Sequence, residues 1–247
     1  TGRPARRMLR QTAAVQVSID PVHGVGPTWR MLNALAPVLV ALFANSSRYA
    51  GAETGFASYR AETWRHVDPS RTGVFACDGE PAAEYAPLAA APRHPFAAGP
   101  DGGYAPLAAA DTTRLDDAAL DNHLSTLFPE VRPRGCLEVR SPDAIEPDAL
   151  AAPILLLYGL AYDAGALHAA MDRLGPPDPG LLATAARDGL AHGPLRAAAA
   201  DIIEIAVRAC RHAPAAAVHG ADLEAARALL AARVGPDPEA WRLSGGR

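Results

Sequence analysis

The stretch Arg134-Gly135-Cys136-Leu137-Glu138-Val139-Arg140 alternates in character with a period of two, which is the spacing of a strand that presents two unlike faces. Gly135, Leu137 and Val139 fall on one side, and Arg134, Cys136, Glu138 and Arg140 on the other. A chain built around such a strand needs a sheet with one side on a core and the other turned to solvent or ligand. The strand closes a longer segment, 123–140 (HLSTLFPEVRPRGCLEVR), that gathers one histidine, two glutamates and three arginines. An arginine fork matches a carboxylate or phosphate, and a glutamate set between cations and solvent suits a hard divalent ion such as magnesium. Taken alone, the pattern also describes an exposed strand face with weak surface ion pairs.

A second strand is read over 12–20, where Val15, Val17 and Ile19 face one way and Ala14, Gln16, Ser18 and Asp20 the other. Pro27-Thr28 opens a helix whose stripe of Trp29, Leu32, Leu35, Leu39 and Phe43 is core, with Pro37 expected to kink it. That helix ends at Asn45-Ser46-Ser47, polar groups suited to its last carbonyls. Residues 1–10 carry Arg3, Arg6, Arg7 and Arg10 and read as a solvated loop; without interleaved aromatic residues they do not suggest nucleic acid. Residues 74–112 are rich in proline, glycine and alanine and read as an irregular excursion, not a domain boundary. Asp116-Asp117 caps a short helix leading to His123, which is either a substrate or phosphate contact or a helix-terminal histidine bonded to backbone.

After Arg140 the chain turns helical. One helical stretch is expected over 147–174, another after Asp178-Pro179, a third over 195–212 and a fourth from Asp222, with a frayed tail at 241–247. The division is therefore 1–146, a sheet-bearing region, and 147–247, a helical region packed on it. The 247 residues are enough for one sizeable core. No run of eighteen apolar residues occurs and no apolar segment follows the basic start, so neither a membrane span nor a signal peptide is read. Three widely spaced cysteines suggest no disulfide framework, and a reducing cytoplasm is the expected compartment.

The segment 123–140 resembles the signature of the glutamate–cysteine ligase family in its plant, proteobacterial and actinobacterial form, which includes the ligase of the ergothioneine pathway. Thr12-Ala-Ala-Val-Gln-Val-Ser-Ile-Asp20, Leu42-Phe-Ala-Asn-Ser46, Ser58-Tyr-Arg60 up to Trp64, and Asp68-Pro-Ser-Arg-Thr-Gly73 resemble further blocks of that family in the same order. The resemblance implies an α+β fold with a glutamine-synthetase-like antiparallel sheet forming a cleft. It also implies that 1–146 is the C-terminal part of the catalytic sheet domain, with 147–247 packed on the same domain, and that an N-terminal part carrying acidic metal ligands belongs to the fold, which this chain does not match. The implied reaction joins the γ-carboxylate of glutamate to the amine of cysteine with magnesium and ATP, through an acyl phosphate.

On that resemblance Glu138, Arg140 and Arg134 are the catalytic candidates, with Glu138 and Gln16 as metal ligands. Arg60, Thr12, Arg71 and Arg132 are the substrate-binding candidates, and Ser18, His123 and Glu130 the nucleotide-binding ones. Glutamate, cysteine and ATP are the expected small-molecule partners, with no nucleic acid and no membrane. A carboxylate–amine ligase with another amine, and a non-catalytic piece that binds glutamate or a partner subunit, remain open alternatives.

Overall fold

The structure, a computed structural model, describes residues 3–91, 93–98, 104–106 and 116–235. In chain order the first elements are α1 (Arg3–Gln11), β1 (Val17–Ile19), α2 (Val25–Leu42), β2 (Arg48–Tyr49), β3 (Ala52–Glu53), α3 (Tyr59–Arg65) and β4 (Thr72–Gly73). They are followed by α4 (Pro81–Ala90), β5 (Arg93–Ala98), β6 (Tyr104–Pro106), α5 (Asp117–Ser125), β7 (Phe128–Pro129), β8 (Val131–Pro133) and β9 (Leu137–Val139). Five α-helices follow, α6 (Ala151–Ala161), α7 (Ala164–Leu174), α8 (Pro179–Asp188), α9 (Gly193–Arg211) and α10 (Gly220–Val234), with short 3-10 turns at Pro147–Ala149 and Gly189–Ala191. Long helices beside a small, mainly antiparallel sheet make this an α+β protein.

The sheet follows from the alternation in the sequence. β1, β9 and β8 lie side by side in that order, all antiparallel, with Val17 opposite Val139 and Val139 opposite Val131. Ile19, Val131, Leu137 and Val139 are buried on the inner face, against α2 and α6. An isolated bridge between Ala14 and Asp143 carries the ladder on beyond the strands. A short parallel pair, β4 with β7, sits beside it.

α2 is apolar on nearly every side, and such a helix is stable only when it is surrounded. By length and composition it could cross a membrane, but here α7, α8 and α9 enclose it, and Trp29, Leu32, Leu35, Leu39 and Leu42 are fully buried. Its buried Asn33 is satisfied on both sides, donating to Trp29 O at 2.9 Å and accepting from Phe75 N at 3.1 Å. One continuous core runs from Ile19 through Leu137 to Leu230, so residues on both sides of position 147 share it.

Four local expectations need correction. Residues 3–11 are helical, with Met8 buried on one side and Arg6 and Arg10 exposed on others. The stretch 74–112 holds a helix, α4, and a two-stranded hairpin, β5 with β6; positions 92, 99–103 and 107–112 lie outside the described residues, as does the tail at 241–247. Residues 134–136 are the turn between β8 and β9, with Gly135 at φ 75°, so the strand proper is only Leu137–Val139. The helical stretch 147–174 is broken by 99° into α6 and α7, where the Asp163 carboxylate caps α7 by accepting from Ala166 N at 2.7 Å. Asp116 and Asp178 cap α5 and α8 in the same way.

Candidate active site

The antiparallel register sets Ser18, Glu138 and Arg132 abreast on the outer face of the sheet. Arg132 donates to Glu138 Oε2 from Nε at 2.8 Å and approaches the same oxygen with Nη2 at 2.7 Å. Arg140 continues β9, its N–H donating to Glu130 O at 2.9 Å, and its Nη1 lies 3.7 Å from that same Glu138 oxygen. Burial, followed by the charge of Arg132, lowers the Arg140 guanidinium to about 10. Arg140 is 5% exposed.

Beneath Arg140 lies Arg60, 3% exposed, delivered by α3. Its Nη2 donates to Arg140 O at 2.6 Å and its Nη1 to Ser141 O at 3.2 Å, with Asp143 Oδ1 at 3.5 Å. The ring of Trp64 sits 4.2 Å from the Arg60 guanidinium and 5.0 Å from that of Arg140, so both cations share one aromatic residue. Asp143 is a hub: Oδ2 accepts from Asn45 N and Ser46 Oγ, and Oδ1 from Ser58 Oγ, all at 2.8 Å. Asn45 and Ser46 thus serve the strand end, not the carbonyls of α2. Glu130, inside the same cluster, has its carboxyl pushed up by burial, against the opposing pull of Arg60, the Ser141 hydroxyl and Arg140.

At the Asp143 end of the ladder a cavity of about 150 Å³ opens, lined by Arg7, Thr12, Asn45, Tyr49, Tyr59 and Arg60 among others. A second cavity of about 300 Å³ shares Arg7, Tyr59 and Thr63 with it and adds Phe56, Glu62 and His66.

The expected site residues separate into groups. Glu138, Arg140, Arg132 and Glu130 come together on the ladder with Ser18 across from Glu138, and Thr12 and Arg60 meet in the cavity. Gln16 is exposed, one residue before β1. Arg134 stands exposed in the hairpin turn. His123 is fully buried with Nε2 2.7 Å from Ala89 O, the backbone-bonded arrangement. Arg71 holds a loop, bonding Asp68 Oδ2 at 3.1 Å and the Thr126 hydroxyl. Arg7 and Asp143 were not legible as site residues; the long-range partners that give them meaning carry no local signal.

Magnesium does not fit the described residues by themselves. No group of three acidic, histidine or cysteine side chains comes together among them, and Glu138 presents an oxygen already held by one guanidinium and near a second.

Fold and site together define an α+β protein whose sheet carries a buried ladder of guanidinium and carboxylate groups beside a polar cavity. The family model for the glutamate-cysteine ligase family 2 (GCS2) matches residues 1–235, and the chain belongs to that family. Glutamate–cysteine ligase EgtA of Mycolicibacterium smegmatis is 36% identical over 230 residues, which cover 83% of this chain and 52% of the relative. EgtA of Mycobacterium tuberculosis is 33% identical over 226 residues, 84% of this chain and 52% of its own. The chloroplastic glutamate–cysteine ligase of Arabidopsis thaliana is 32% identical over 188 residues, 67% of this chain and 35% of its own. The chain therefore spans about half the length of the first two.

Proposed function

We propose that this chain forms part of an ATP-dependent ligase that joins the γ-carboxylate of glutamate to the amine of cysteine. The observation that carries the reading is the pair Arg132 and Arg140 converging on Glu138 in a member of this family. In the proposed chemistry a γ-carboxylate oxygen attacks the γ-phosphorus of ATP and ADP leaves, giving an acyl phosphate. The amine then attacks the acyl carbon, inorganic phosphate leaves, and the amine proton passes to solvent.

Such a reaction needs little covalent help from the protein and much placed positive charge. Arg132 and Arg140 supply it, fixed in advance by Glu138, Trp64 and the backbone, with Ser18 beside them for the nucleotide. Thr12 and Arg60 belong to the cavity that receives glutamate. Both the ergothioneine and the glutathione routes begin with this dipeptide, and the relatives include EgtA and chloroplastic enzymes.

A second reading is a piece that binds glutamate without turning it over, supported by the close hold of Arg132 on Glu138. The test is ADP release with magnesium-ATP and glutamate, with and without cysteine, by this chain and by a version extended upstream. Cysteine-dependent release that Glu138→Ala abolishes supports the ligase. Silence of the extended form with cysteine and with other amines leaves binding as the function.

A further inference from the structure

Arg7 lies on α1 and reaches the wall shared by the two cavities. Its guanidinium carbon is 4.4 Å from the ring centre of Tyr49 and 5.4 Å from that of Tyr59, and Nη1 donates to the Tyr59 hydroxyl. Tyr49 is itself held in place, donating to Gln11 Oε1 at 2.8 Å. No carboxylate among the described residues pairs with Arg7, and its Nε is buried without an acceptor. Arg7 is half-buried, so its guanidinium is held by the two rings while part of it stays open to the cavity, where an anionic ligand would supply the charge that no side chain does.

Asp143, the acid lining this cavity, cannot be that partner, because its oxygens already accept from Asn45, Ser46 and Ser58 and face Arg60. The terminal nitrogens of Arg60 are likewise turned to the carbonyls of Arg140 and Ser141 and to Asp143. Of the three arginines that line the cavity, Arg60 is balanced and engaged, Arg48 faces Glu53 at 3.4 Å and donates to Gly51 O, and Arg7 is oriented with no carboxylate beside it.

We propose that Arg7, clamped between Tyr49 and Tyr59, binds the α-carboxylate of the glutamate substrate, and that Arg60 shapes the cavity floor beneath it. This rests on the ligase reading for the identity of the amino acid. The geometry of the clamp asks only for a small carboxylate, and a cavity of about 150 Å³ accommodates an amino acid's carboxylate end.

Calorimetric binding of three probes to the 247-residue chain tests it: L-glutamate, its α-amide, and glutarate. Wild type is expected to bind glutamate at least about tenfold more tightly than the α-amide, the scale of one charge-assisted hydrogen-bond pair. Arg7→Gln should remove that preference, and Arg7→Lys should fall between. The wild-type comparison of glutamate with its α-amide stands even if Arg7→Gln does not fold. Equal wild-type affinity for the two overturns the proposal, as does folded Arg7→Gln binding glutamate normally, or no binding of any probe. Arg7-dependent binding of glutarate with no preference for glutamate keeps the carboxylate clamp and removes the glutamate-ligase reading. Arg7-independent binding of glutamate does the reverse.

Discussion

Arg132 directs Nε and Nη2 onto the same oxygen of Glu138, at 2.8 and 2.7 Å, from the position directly opposite it in the β8–β9 ladder. With Arg140 also 3.7 Å away, that one oxygen balances two guanidiniums. Glu138→Gln should therefore lower stability by about 1–3 kcal/mol, less than for a fully buried pair because the Glu138 side chain is 17% exposed. The urea midpoint measures this. A paired Arg132→Met, Glu138→Met variant should regain part of the loss, and a midpoint unmoved by Glu138→Gln would show that the pair contributes nothing to stability.

Gly159 stands where α6 crosses α9. A β-carbon there would lie 2.4 Å from Ala206 O and 2.9 Å from Cys210 Sγ, and the carbonyl belongs to a helix backbone that cannot step aside. Gly159→Ala should destabilise by about 1–3 kcal/mol in spite of alanine's better helix propensity. An increase in thermal midpoint would mean that the two helices can separate freely.

Glu130 gives the stability a pH dependence with a definite sign. Its folded-state carboxyl titrates above the ordinary 4.5, because burial outweighs the pull of Arg60, Ser141 and Arg140. The folded protein then holds the proton more tightly than the unfolded chain, so this contribution is complete below 4.5 and falls away as pH rises through the raised value. Relative to wild type, Glu130→Gln should gain stability as pH rises from 4.5 through the raised value, and the difference should then level off. Parallel pH–stability curves for the two proteins would contradict this.

The three free cysteines should react in order of access. Cys77 is buried, and its thiol is pushed up to about 12 by burial and then by the charge of Glu84. Cys210, packed between α6 and α9, is raised by burial as well, whereas Cys136 is half-exposed in the β8–β9 turn. A disulfide reagent at pH 8 should modify one thiol per chain quickly, at Cys136, and the others only on unfolding. Fast modification of all three would show that the core opens readily.

Where the physics is local, the sequence was readable. Val17 and Ile19 turn inward while Gln16, Ser18 and Asp20 are exposed, the α2 stripe is core, and Asp116 and Asp178 cap the helices they precede. Alternation also misled, because Arg134, Gly135 and Cys136 fit a strand by pattern; only the positive φ that Gly135 permits reveals the turn. The apolar run from α6 into α7 hid a sharp break whose single clue was Asp163 as a cap. Arg7 and Asp143 depend on partners dozens of residues away, such as Tyr59 and Ser46, and no periodicity announces those.

Pairing Val17–Ile19 with Leu137–Val139 joins segments more than a hundred residues apart. The middle of the sheet therefore cannot assemble until nearly the whole described sheet region has been synthesised and the intervening loop has closed, at an entropic cost that grows slowly with its length. A nascent chain stopped before Leu137 would present β1 as an unpaired edge, open to pairing with other chains, and the exposed polar side chains of Gln16, Ser18 and Asp20 along it are of the kind that discourages such pairing.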